Sequence, residues 1–253
     1  MSTLPAGKGR AARRWLTALG AACVVCAALA ALILRGALVI NTPSREAYPI
    51  WGVDVSHYQG QIDWEALRAQ GVRFAYIKAT EGSSHVDERF AQNALGASAA
   101  GVPAGAYHFF SFESPGSAQA ENLLAALRGS PTQLPCAVDF EFYGDFFQEP
   151  PDVEATRAEL RAMLAALEEA TGARPVLYAT NRSYRMYLDG AFDDYPLWIR
   201  DVYLWPWLTL PGRSWTLWQY SDRGRLEGYA GVEEHIDLNV FSGDEAAFEA
   251  FRL

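Results

Sequence analysis

Cysteine is scarce: three occur in 253 residues. Cys23 and Cys26 lie in an N-terminal apolar run, so Cys136 is alone in the rest and no disulfide can close there. A single Cys136 at the start of an apolar stretch reads first as a small core residue and only second as a thiol nucleophile. Lysine is nearly missing; after Lys8 only Lys78 remains. Positive charge of either kind is short. Six of the 21 Lys+Arg fall in the first 45 residues, which hold no Asp or Glu, leaving 15 cations against 30 acids downstream, a net −15. So acidic a region repels phosphate backbones and argues against nucleic-acid binding. Neither H-E-x-x-H nor paired Cys/His spacing occurs, which weakens a metal site at His57, His108 and His235. G-x-S-x-G is absent too, which weakens a serine nucleophile. No metal or cofactor is expected.

Half the residues are hydrophobic, 13% aromatic and 20% charged. That composition excludes a disordered chain, a collagen-like repeat and a coiled coil, and it supplies one large core. No internal repeat is visible.

Residues 15–34 form one charge-free run, WLTALGAACVVCAALAALIL. As a helix it spans about 30 Å of hydrocarbon. Lys8, Arg10, Arg13 and Arg14 precede it and Arg35 follows. A cleaved signal peptide would have a shorter apolar region and a small-residue exit, whereas this run leaves through Leu32, Ile33 and Leu34. The expectation is an uncleaved single-pass signal anchor in the cell membrane. Residues 1–14 are then a basic cytoplasmic tail, 15–35 the transmembrane segment, 36–49 a tether and 50–253 an extracytoplasmic barrel, expected to be a monomer.

Short apolar strands alternate with helical stretches from residue 51 onward. Strands are expected at 51–56, 74–80, 104–109, 137–142, 175–180, 196–199, 215–221 and 236–241. Helices are expected at 64–70, 88–100, 117–128, 153–171 and 244–251. Asp63, Asp87, Ser117 and Asp152 open the first four, and Gly71, Gly101, Gly129 and Gly172 close them. Eight strands with crossover helices indicate an α/β fold, an irregular (β/α)-barrel whose second half is poor in helix.

In such a barrel the chemistry gathers at the C-terminal strand ends. Asp54, Asp139, Glu141 and Asp237 all lie within apolar strand segments, where a buried charge is costly. Asp139 and Glu141 are two apart, so they share one face while Val138, Phe140 and Phe142 take the other. Close carboxylates cannot both ionise easily, which sets a general acid beside an anion, the division of labour in glycoside hydrolysis. Tyr107, Phe109, Tyr178, Trp198, Trp218 and Tyr220 offer ring faces for sugar stacking, or simple core packing. Lys78 either contacts substrate and steadies a catalytic acid, or forms a structural ion pair with a barrel acid.

These stretches resemble family 25 of the glycoside hydrolases, the Chalaropsis-type lysozymes. The likeness runs over WGVDVSHYQGQIDW at 51–64, FAYIKATEG at 74–82, GAYHFF at 105–110, LPCAVDFE at 134–141, RPVLYAT at 174–180, PLWI at 196–199, WTLWQYS at 215–221 and IDLNVF at 236–241. The resemblance implies a muramidase that cuts the β-1,4 bond between N-acetylmuramic acid and N-acetylglucosamine in peptidoglycan glycan strands. It implies five βα units followed by three mostly antiparallel strands. By the same resemblance Glu141 corresponds to the general acid. Asp139 corresponds to a partner that stabilises the transition state or orients the substrate acetamido group. Asp54 and Asp237 are supporting acids, and Tyr107 and Tyr178 are substrate-contacting aromatics. The chain departs from the family pattern after Ile199, where Arg200, Asp201 and Val202 stand and Arg200 brings charge to the groove rim. A catalytically silent peptidoglycan-binding module is the rival expectation, and a metal-dependent amidase or deacetylase a weaker one.

Overall fold

Apolar side chains at every second position commit a segment to a sheet with one face inward, and acidic caps start the helices between such segments. The structure, a computed structural model, describes residues 7–253. Residues 1–6 of the expected basic tail lie outside the described residues. The chain divides into two units, residues 1–42 and Pro43–Leu253.

Among its described residues the first unit holds one helix, α1 (Gly7–Leu34). Its stretch Arg13–Leu34 is long and apolar enough to cross a membrane. Trp15, Leu16, Leu19, Val24 and Val25 are all exposed on it.

The second unit runs β1 (Trp51–Val55), α2 (Trp64–Ala69), β2 (Phe74–Glu81), β3 (His85–Val86), α3 (Phe90–Ala99), β4 (Ala104–Phe109), α4 (Gly116–Leu127), β5 (Ala137–Phe140) and α5 (Val153–Thr171). It continues β6 (Val176–Thr180), α6 (Asn181–Ser183), β7 (Leu197–Arg200), α7 (Pro206–Thr209), β8 (Leu217–Gly224), β9 (Ile236–Phe241) and α8 (Glu245–Phe251). The strands close as β1-β2-β4-β5-β6-β7-β8-β9 and back to β1, with two-residue β3 attached to β2. This is the expected α/β barrel.

Pairings from β1 round to β8 are parallel; β9 alone runs against both its neighbours. Antiparallel pairing is therefore narrower than the three-strand expectation. The reason lies in the connections. Residues 201–216 carry α7 across the barrel, so β8 can still follow β7 in parallel, whereas residues 225–235 hold no helix and turn the chain back.

Asp63, Asp152 and Asp244 cap their helices by accepting from the backbone N–H of Ala66, Ala155 and Ala247. Gly172, at φ 72°, ends α5 in the left-handed region. Asp87 does not start its helix as expected. It is buried; its Oδ1 accepts from the Arg89 N–H at 2.9 Å in the turn before the helix, while Oδ2 accepts from the backbone N–H of His57 at 3.0 Å and contacts His57 Nδ1 at 2.8 Å, and α3 itself begins at Phe90. Helix α4 opens at Gly116 rather than Ser117, and the Gly116 N–H donates to Glu159 Oε2 at 2.7 Å.

Two apolar layers result. Phe74, Tyr76, Ala137, Val176, Tyr178, Trp198 and Leu217 fill the barrel, with Phe248 of α8 packed against Phe74 and Phe241. Val138, Phe140, Phe142, Leu160, Leu164 and Trp218 belong to the outer layer against the helices. The buried thiol of Cys136 joins that layer, and burial pushes its pKa up to about 12. A buried thiol with its pKa raised this way serves as core packing.

Candidate active site

Register brings the acids together. Asp54, near the end of β1, stands opposite Asp237 at the start of the reversed β9. Asp139 of β5 pairs with Phe109 of β4 on one side and Tyr178 of β6 on the other. Strand β5 ends at Phe140, so Glu141 is the first residue beyond it. Its neighbours Phe140 and Phe142 still pack outward, which leaves Glu141 on the side of Asp139. Asp54, Asp139, Glu141, Asp237, Lys78, Tyr107, Tyr178 and Trp198 all line one cleft of about 390 Å³.

The floor of the cleft is a polar network. Gln219 Nε2 donates to both oxygens of Asp54 (3.2 and 3.0 Å) and to Asp237 Oδ2 (3.1 Å). Asn239 Nδ2 donates to Asp54 Oδ2 at 2.7 Å. Two aromatics hold these amides in turn: Tyr178 Oη donates to Gln219 Oε1 at 3.0 Å, and Trp198 Nε1 donates to Asn239 Oδ1 at 2.8 Å. Gln219 and Asn239 escape a reading based on charge, although both lie in the quoted motifs. Strand parity was the available signal, since Gln219 shares a face with inward Leu217.

The same parity sends Trp218 outward, where it packs beside Trp205 and Trp215. Tyr220 packs against that outer layer too, so neither ring faces the cleft. Trp198 is 2% exposed beneath Tyr178 and Tyr76, which leaves it as a support for Asn239 rather than an open stacking face. Tyr58, 52% exposed at the rim, offers an accessible ring that sequence reasoning did not single out.

Lys78 pairs with Glu81 at 2.7 Å, not with one of the four cleft acids. Arg200 pairs with Asp222 at 2.8 Å, and Asp222 lines the cleft. His108 is buried between Thr80 and Gln119, with both ring nitrogens engaged (2.7 and 3.0 Å). Among the described residues no group of three His, Cys, Asp or Glu is arranged to hold a metal.

Burial lifts the pKa of all four cleft carboxyls. For Asp139 the rise is large, and the charges of Glu141 and Asp54 add to it. Asp139 Oδ1 is buried with no hydrogen-bond partner, and only the charges of Lys78 and Arg200 oppose the rise. Burial also raises Glu141, and Arg200 opposes that rise. Asp54 accepts three donated bonds from Asn239 and Gln219, which favour its charged form. Burial, with the Asp54 charge adding to it, pushes the Asp237 pKa well above the ordinary carboxylate range.

The glycosyl hydrolases family 25 profile matches residues 53–229. The structure is similar to that of a family 25 glycosyl hydrolase from Bacillus anthracis, with a TM-score of 0.77 and 43% identity, over 85% of this chain and 98% of that one. Lysozyme M1 of Streptomyces globisporus is 32% identical over 78% of this chain and 69% of its own length. The N,O-diacetylmuramidase of Chalaropsis sp is 31% identical over 76% of this chain and 95% of its own. A barrel, a cleft of buried acids at its C-terminal strand ends and these likenesses converge on one statement: the chain belongs to family 25 of the glycosyl hydrolases and is a glycoside hydrolase.

Proposed function

We propose that this enzyme is a peptidoglycan muramidase, hydrolysing the β-1,4 bond between N-acetylmuramic acid and N-acetylglucosamine. Its relatives named lysozyme and diacetylmuramidase support that substrate class. Glu141 is the general acid. Burial favours its protonated form, and from the strand end it donates that proton to the glycosidic oxygen. Asp139 orients the substrate. An arriving acetamido N–H gives Oδ1 the donor it lacks and draws Asp139 toward the anion, which then supports positive charge developing at the sugar ring. Asp54, Gln219, Asn239 and Asp237 fix the cleft floor. Tyr107 and the exposed ring of Tyr58 face the glycan, Tyr178 shapes the wall, and Lys78 supplies positive charge beside the acids.

The observation that carries this assignment is that Glu141 and Asp139 open into one cleft while Asp139 Oδ1 is buried without a partner. Helix α1 serves as a single-pass signal anchor, with the barrel on the extracytoplasmic side. The test is digestion of purified peptidoglycan by the full chain and by Glu141→Gln, with products followed by mass spectrometry. The wild type releases muropeptides with muramic-acid reducing ends and Glu141→Gln does not. Near-normal release by the variant refutes the role of Glu141. Glycan retention by the wild type without new reducing ends identifies a binding module instead.

A further inference from the structure

The β7–β8 loop, residues 201–216, carries four large apolar side chains into solvent. Tyr203 is 36% exposed, Leu204 38%, Trp207 64% and Leu208 51%. The loop is not slack. Asp201, 5% exposed, sits inside it and accepts from the backbone N–H of Tyr203 (3.3 Å) and Leu204 (2.8 Å) and from Thr209 Oγ1 (2.8 Å). Trp218 Nε1 donates to the Asp201 carbonyl at 2.9 Å, and Trp205 packs on Trp218 at 5.1 Å. Asn181 Nδ2 donates to Asp201 Oδ2 at 2.8 Å and ties the loop to α6. The apolar tips are therefore held outward on a fixed base. A rigid cluster of exposed Trp, Tyr and Leu marks a surface that something covers.

The chain itself points to the occupant. It carries a helix long and apolar enough to cross a membrane, ending at Leu34, and the barrel unit begins at Pro43. The residues between span at most about 30 Å when extended. The incoming segment also joins the barrel at the foot of this loop. Tyr48 stacks on Trp215 at 5.8 Å and meets the edge of Trp218 at 6.4 Å, the same Trp218 on which Trp205 rests. Trp and Tyr beside Leu are the side chains that settle at a membrane–water interface.

Resting on the signal-anchor reading of α1, we propose that the side chains of Tyr203, Leu204, Trp207 and Leu208 insert into the headgroup region of the bilayer that α1 crosses. The loop leaves the C-terminal end of β7, the barrel end at which the cleft opens. Seating it on lipid selects the glycan nearest the membrane as substrate.

The test uses the full chain in vesicles of phosphatidylcholine and phosphatidylglycerol with brominated acyl chains. Cys23→Ala and Cys26→Ala leave only buried Cys136. A fluorophore is attached at Trp207→Cys and, as a control on the exposed face of α5, at Glu169→Cys. The expected result is several-fold stronger quenching by bromolipid at 207 than at 169. Leu208→Cys gives the same contrast should the first variant misfold. Equal quenching at 207 and 169 overturns the proposal. Protection of 207 from aqueous iodide without bromolipid quenching also overturns it, because a protein then covers the patch. Release of the chain from vesicles by alkaline washing overturns the anchor and the loop docking together, whereas retention with an unquenched 207 overturns the docking alone.

Discussion

Asp54 and Asp237 face each other across the β1–β9 ladder and share one amide donor, Gln219 Nε2. Two carboxyls so placed divide in character: burial raises the pKa of both, the rise is large at Asp237, and the bonds donated by Asn239 and Gln219 oppose it at Asp54.

That division predicts an asymmetry between two conservative changes. Asp237→Asn keeps a donor beside Asp54 and leaves stability near wild type. Asp54→Asn turns an amide N–H toward the donors of Gln219 and Asn239, and costs about 1–3 kcal/mol. Urea unfolding of the two variants checks the order; equal losses refute the asymmetry.

Asp139→Asn separates stability from activity. The folded-state pKa of Asp139 lies well above its unfolded value, so ionisation destabilises the fold only as pH rises beyond about 4. The midpoint difference between Asp139→Asn and wild type is therefore small at about pH 3 and grows in favour of the variant toward neutrality. Muropeptide release falls throughout. Thermal melts across this pH range check the sign.

Arg200→Gln moves the pH profile. Arg200 draws the Glu141 pKa down, so its loss lets that pKa rise. A general acid works while protonated, and the alkaline limb of kcat/KM then shifts to higher pH. A limb that stays put removes Arg200 from control of Glu141.

Gly116→Ala tests the scaffold apart from the site. A Cβ there would drive into the Glu159 carbonyl of α5, where Gly116 closes the α4–α5 contact. We expect a loss of about 1–3 kcal/mol by overpacking, with the pH profile unchanged. A wild-type Tm would show that the two helices separate freely.

The barrel was legible because its signals are local. Alternation located all eight barrel strands, and Asp63, Asp152 and Asp244 marked helix starts that the structure repeats. Asp87 was legible only in part: its Oδ1 takes the nearby Arg89 N–H, but its second partner, His57, lies 30 residues away, and one sequence does not show that tie. The acids were legible as charges among apolar neighbours. Gln219 and Asn239 were not, because a neutral amide in a strand carries no such contrast and its partners come from other strands. Trp218 and Tyr220 failed as sugar platforms for want of a parity argument that their own sequence contained.

Strand β9 closes the ring, and with it come Asp237 and Asn239. Until that last barrel strand is translated and docked, Asp54 lacks its strongest donor and the cavity has one wall missing. Closure of the ring and completion of the acid network are therefore one event, made by the same final stave.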